Sequence, residues 1–189
     1  MAIVLATRNA HKLREFGRLL PEIALAPLPD EVELPPETGA TFAENALVKA
    51  RAASEATGAP ALADDSGIEA EALGGAPGIY SARYAGPNAS DAENRDRLRA
   101  EVPPGSGLRY VCAVAYVVPG AEPRLAEGYC EGRMAEAPRG EGGFGYDPLF
   151  VPGEGDGSRT MAELTDAEKD RISHRGRAAR EATAWLAGG

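Results

Sequence analysis

The sequence predicts an α/β protein built on a mixed sheet with flanking helices, and three features carry that prediction. Short apolar runs alternate with amphipathic segments through the first third of the chain, two long strand-like segments follow with a Pro-Gly turn between them, and helical patterns close the sequence. At 189 residues, 43% of them hydrophobic, the chain is long enough to bury a core as one domain over residues 1–189 without a disulfide or metal staple.

Taken in order, residues 2–6 (AIVLA) read as a buried strand, and Leu13, Phe16, Leu19 and Leu20 follow at helical spacing. A brief strand near residues 23–26 leads into a proline-rich loop ending at Glu37-Thr38-Gly39. Thr41 and Glu44 form a T-x-x-E capping box that opens an alanine-rich helix, which Gly58 stops. Residues 60–63 read as a short buried strand ending at Asp64 and Asp65. The glycine- and proline-rich middle is irregular, and Ser90 with Glu93 caps a helix running to about Glu101. RYVCAVAYVV, residues 109–118, is the strongest strand, and Pro119-Gly120 turns it into a second over residues 124–134. Beyond a glycine-rich loop at 140–147 come a short helix after Thr165 and an amphipathic helix over residues 173–186.

Composition excludes several classes of function. A net charge of −9 argues against binding a nucleic acid backbone, which is held by clustered Lys and Arg. No apolar stretch approaches membrane-spanning length, and the N-terminal run lacks the basic flank and length of a signal peptide. Cys112 and Cys130 form no C-x-x-C pair and read as buried thiols in a reducing cytoplasm.

Five segments carry residues suited to chemistry. Thr7-Arg8-Asn9-Ala10-His11-Lys12 stands where a strand meets a helix, a place whose free amides and basic side chains suit phosphate; alternatively, Asn9 caps the helix and the basic residues face solvent. Asp64 and Asp65, followed by Ser66-Gly67, could hold Mg²⁺ or take a proton from water, or could be an acidic turn. Glu44 has a capping role, so Glu37 is the better further metal ligand, while Lys49 could reach a phosphate or be solvated. Residues 140–145 contain a formal G-x-G-x-x-G, but Pro138 and Pro148 stand where a strand and a helix belong, so a dinucleotide fingerprint is set aside. That loop instead presents Phe144, Gly145, Tyr146 and Asp147, with rings for stacking on a base and a carboxylate for a base N–H, or forms a tight turn with two core aromatics. Lys169, His174 and Arg175 flank the start of the last helix and could donate to a carbonyl oxygen or serve as local caps.

Together, TRNAHK at 7–12, ETGATFAENALVKA at 37–50, ADDSGIEAEALGGAPGIYSARYAG at 63–86, GGFGYDPLF at 142–150 and KDRISHRGRA at 169–178 resemble the inosine triphosphate pyrophosphatase family over nearly the whole chain. The resemblance implies a cytoplasmic homodimer whose twisted mixed sheet forms two lobes around a central substrate cleft. It implies hydrolysis of ITP, dITP and XTP to the monophosphate and pyrophosphate. Carried over by motif, Thr7 to Lys12 and Lys49 hold the triphosphate, Ser66 contacts substrate, and Glu37 and Asp65 bind Mg²⁺. Asp65 doubles as proton acceptor with Asp64 in support, and Phe144, Gly145, Tyr146, Asp147, Lys169, His174 and Arg175 enclose the base. Many family members have Gly where Arg8 stands, so the expected extra role of Arg8 is a phosphate contact. Two rivals remain: a nucleotide-binding regulator on the same scaffold, and a Mg²⁺-dependent phosphomonoesterase using Asp64 and Asp65.

Overall fold

The computed structural model describes residues 2–186. Its strands form one six-stranded mixed sheet. β1 (Ile3–Leu5) pairs in parallel with β2 (Leu25–Pro27) and with β3 (Ala61–Ala70), and β4 (Gly107–Val117), β5 (Arg124–Met134) and β6 (Phe150–Pro152) complete the order β2-β1-β3-β4-β5-β6. β5 and β6 run antiparallel, with Met134 opposite Phe150. The helices are α1 (Ala10–Leu19), α2 (Phe42–Thr57), α3 (Asp91–Glu101), α4 (Asp166–Ile172) and α5 (His174–Leu186).

Helix starts follow the capping residues. Ser90 with Glu93 and Thr165 with Glu168 form complete reciprocal boxes at α3 and α4. At α2 only half the box closes. Thr41 Oγ1 accepts the Glu44 amide, but the Glu44 carboxylate accepts the amide of Ala40, one residue earlier. Gly58 ends α2 at φ 66°, a left-handed conformation that glycine adopts without a Cβ clash.

Two strand expectations change. β3 does not stop at residue 63 but runs ten residues through the aspartates to Ala70, so Asp64 and Asp65 lie inside a strand and not in a turn. β6 is a strand the sequence does not signal, its three residues ending on a proline being too short to register as one.

The chain divides into two compact units. The first comprises the residues up to Asp65, residues 112–128 and the segment from Arg175 onward; the second comprises Ser66–Val111 and Tyr129–His174. β3, β4 and β5 each pass from one unit into the other. In the first, Leu5, Phe16, Leu62, Val114 and Ala179 belong to one buried cluster; in the second, Ile68, Leu98, Leu108, Leu149 and Phe150 belong to another. Among the described residues no helix is long and apolar enough to cross a membrane.

Candidate active site

In the first unit the chemistry starts from the alternation of a β-strand, in which neighbouring side chains point to opposite faces. Asp64 shares its face of β3 with Leu62 and meets α1 and α5: its Oδ2 lies 3.0 Å from Lys12 Nζ and 3.2 Å from the Arg175 guanidinium. Asp65 faces α2, where Asn45 Nδ2 donates to its Oδ2 at 3.0 Å and Lys49 Nζ stands 3.7 Å from its Oδ1. Lys49 also contacts Glu37 Oε1 at 2.6 Å, so one ammonium bridges Glu37 and Asp65.

The two faces push the carboxylates apart. Burial acts to raise the pKa of Asp64, but Lys12, then Arg175 and Lys49, outweigh it and hold the group well below the usual carboxylate range. For Asp65, burial and the nearby Glu37 charge prevail over Lys49, Lys12 and the Asn45 hydrogen bond, and its pKa rises. Burial alone would lower the pKa of Lys49, yet Asp64, Asp65 and Glu37 raise it and keep the ammonium charged. A carboxylate with a raised pKa beside one with a lowered pKa is a combination that suits proton transfer.

The turn from β1 into α1 differs from an open phosphate loop. Asn9 caps the helix, its Oδ1 accepting the amides of His11 at 2.9 Å and Lys12 at 3.3 Å, and Thr7 Oγ1 accepts the Asn9 amide. Ala10 and His11 form the exposed first turn, with His11 Nδ1 2.9 Å from the Arg14 guanidinium. The Arg8 guanidinium donates to the carbonyl oxygens of Leu28, Pro29, Asp30 and Val32 at 2.6–3.2 Å, stapling the loop after β2. With its donors directed at main-chain oxygens, Arg8 holds that loop in place.

In the second unit, a buried ion pair organises the glycine-rich loop. Lys169 Nζ lies 2.6 Å from Asp147 Oδ2, which also accepts the Phe144 amide at 2.9 Å, while Tyr110 donates its hydroxyl to Asp147 Oδ1 at 3.0 Å. Both carboxylate oxygens therefore have partners inside the protein, and Asp147 anchors Lys169. Tyr146 is buried and donates its hydroxyl to the Ser81 carbonyl at 2.7 Å, which makes it a core aromatic. Phe144 stays partly exposed with Lys169 Nζ 5.2 Å from its ring centre, and Gly145 exchanges bonds with Asp91 and Arg95 of α3. The His174 ring stacks on Tyr110 with centroids 4.5 Å apart and planes 6° apart.

Arg175 separates from its neighbour His174. It is 1% exposed, belongs to the first unit, and contacts Glu15 at 2.5 Å and Asp64 at 3.2 Å, which ties it to the carboxylate cluster. Ser66 is half-buried on β3, directly after Asp65. Sequence reading missed Asn45, Glu15 and Tyr110. An asparagine inside an alanine-rich helix runs against helix propensity and was the one available signal; Glu15 and Tyr110 look like ordinary helix and strand residues.

The donor set decides how a metal would fit. Among the described residues no three of His, Cys, Asp and Glu gather as a metal-holding group. Mg²⁺ does not need such a cage: it takes one or two carboxylates and completes its shell with water and substrate phosphate oxygens. Glu37 and Asp65, both drawn to Lys49, supply two carboxylates, and Asp64 Oδ1 is buried without a hydrogen-bond partner among the described residues. The residues fit a magnesium ion shared with a phosphorylated substrate.

Residues 3–185 match the Ham1 family. A dITP/XTP pyrophosphatase of Geobacillus kaustophilus is 49% identical over 186 residues, covering 93% of this chain and 89% of that protein. Another, from Symbiobacterium thermophilum, is 50% identical over 188 residues, covering 93% and 90%. The solved structure of a HAM1 protein from Coxiella burnetii matches with a TM-score of 0.87 at 42% identity, over 100% of both chains.

Proposed function

The chain belongs to the Ham1 family, and from that premise we propose that it hydrolyses the triphosphates of deaminated purines, dITP, ITP and XTP, to the nucleoside monophosphate and pyrophosphate in a magnesium-dependent reaction. The observation that carries this reading is the splitting of Asp64 and Asp65 between the two faces of β3, one clamped by Lys12 and Arg175, the other set among Asn45, Lys49 and Glu37. Relatives named dITP/XTP pyrophosphatase, about half identical over most of their length, support the choice of substrates.

Asp65 takes a proton from the attacking water, a task its raised pKa favours, and the Asn45 amide holds it in place. Lys12 and Lys49 hold the triphosphate and stabilise the charge that gathers on the departing pyrophosphate. Asp64 does not react; it positions Lys12, and Arg175 in turn secures Asp64. Glu37 and Asp65 would hold Mg²⁺, which when bound supplies charge neutralisation on the phosphate oxygens. In the second unit the partly exposed Phe144 stacks on the base, and Lys169 and His174 supply donors for a 6-keto oxygen; Ser66 adds a substrate contact. A 6-amino group leaves such donors unmatched, a penalty that reaches about 10⁴-fold in sites built on this principle.

One incubation tests the whole proposal. With Mg²⁺ present, dITP and XTP are expected to give monophosphate and pyrophosphate while ATP gives little, and chelation of the metal is expected to stop turnover. Orthophosphate as the sole product would indicate a phosphomonoesterase, and binding without turnover a regulator. The same resemblance supports a single-domain homodimer working in the cytoplasm, and light scattering on the purified protein is the check of the dimer.

A further inference from the structure

Tyr110 lies in none of the motifs that suggest chemistry, yet it touches both ends of the group assigned to the base. Its hydroxyl donates to Asp147 Oδ1 at 3.0 Å, and its ring lies almost parallel to the His174 imidazole, centroids 4.5 Å apart. Phe150 packs on the same ring, centroids 4.7 Å apart and planes 47° apart, and the residue is 6% exposed, so the phenol has little room to turn. Asp147 is equally confined. With one oxygen on Tyr110 and the other shared by Lys169 and the Phe144 amide, its rotation is set from both sides. The loop closes directly over this pair: a Cβ on Gly143 would come within 2.0 Å of Asp147 Oδ2 and 3.1 Å of Lys169 Nζ.

We propose that Tyr110 is a specificity-determining positioning residue, which aligns Lys169 through Asp147 and His174 through ring stacking so that both donors address the 6-keto group of the base. The inference rests on the base-site assignment made above. Its physical basis is that a hydrogen bond to a substrate contributes only when the donor is already held at the right angle and distance. A 6-amino base gains nothing from these donors, so loosening them weakens binding of the keto substrates alone and leaves the amino substrates where they were.

The test is Tyr110→Phe, which keeps the stacking ring and removes the hydroxyl that holds Asp147. KM for dITP and XTP is expected to rise about tenfold, the scale of one hydrogen bond to a charged group, with a much smaller change in kcat. KM for dATP should stay put, so that the dITP-to-dATP preference falls by a similar factor. Asp147→Asn, which keeps the shape and weakens the hold on Lys169, should shift the preference in the same direction. Calorimetric titration with IMP and AMP reads the base site without catalysis. If the unaltered protein binds IMP no better than AMP, the base-site assignment falls and this inference with it. If the unaltered protein discriminates and Tyr110→Phe discriminates equally, or if KM rises equally for keto and amino substrates, the role of Tyr110 alone is overturned.

Discussion

In the first unit the groups proposed for the chemistry stand on regular elements and are held by charge. Asp64 and Asp65 occupy successive positions of β3, Lys12 lies on α1, Lys49 and Asn45 on α2, and Arg175 opens α5, with each ammonium or guanidinium placed against a carboxylate. In the second unit one ion pair, Lys169 with Asp147, is wrapped by a glycine-rich loop and stacked aromatics. The difference teaches how two kinds of recognition are built. Moving a proton and neutralising phosphate requires opposite charges a few ångströms apart, which strand alternation and helix spacing supply directly. Reading the edge of a base, the role proposed for the second unit, would require donors at fixed angles, which backbone passing close over the Asp147 side chain helps to fix.

Substitutions can break that contrast, and the largest effect is expected at Asp65. Asp65→Asn should lower kcat by about 10³, the scale of general-base catalysis, while the thermal midpoint changes little; steady-state kinetics on dITP give the answer. Asp147→Asn should act on KM instead, and an equal loss of kcat there would erase the distinction between the units.

Arg175→Met tests the buried charges themselves. It leaves Asp64 and Glu15 buried without the guanidinium, and urea unfolding should show a loss of about 3–5 kcal/mol. A loss under about 1 kcal/mol, the range of exposed pairs, would mean that the cluster is not held by charge.

A pair of alanine substitutions sharpens the comparison. A Cβ on Gly39 would meet Asn45 Oδ1 at 2.7 Å and disturb the residue that orients Asp65, whereas one on Gly143, at φ 68°, would meet Asp147 Oδ2 at 2.0 Å. Each should cost about 1–3 kcal/mol of stability. Gly39→Ala is expected to reduce kcat and Gly143→Ala to raise KM, and kinetics on the folded variants would expose any exchange of these effects.

The smallest effect concerns Cys112, whose thiol lies 3.9 Å from Asp64 Oδ2. Burial first, and then the Asp64 charge, push its pKa to about 12 against the pull of Arg175 and Lys12. At pH 8 the native protein should leave Cys112 unalkylated, as peptide mapping would show, and unfolding should release it. Because the folded value is raised, the thiol favours folding below its ordinary value of about 8.5, and that contribution is lost as pH climbs from there towards about 12.

Much of this architecture was legible in the chain. The Ser90–Glu93 box opens a helix where expected, a short helix follows Thr165, and Pro119-Gly120 joins the two long strands. β3 was cut short because Asp-Asp-Ser-Gly has poor strand propensity, and only matching charges from α1, α2 and α5 make two aspartates tolerable inside a buried strand. Arg175 was grouped with His174 by adjacency, yet it turns to Asp64, 111 residues earlier.

By itself the sequence determined the element order, the helix caps and the inventory of carboxylates, lysines and loop aromatics, because these depend on spacings of a few residues. Tertiary structure alone decided that Asp64 faces Lys12 and Arg175 while Asp65 faces Asn45 and Lys49, that Arg8 ties down the loop after β2, and that Tyr110 reaches Asp147 and His174. The physical reason is that a carboxylate's basicity and a donor's direction are set by neighbours within about 4–6 Å, and in a folded sheet those neighbours come from strands and helices far apart along the chain.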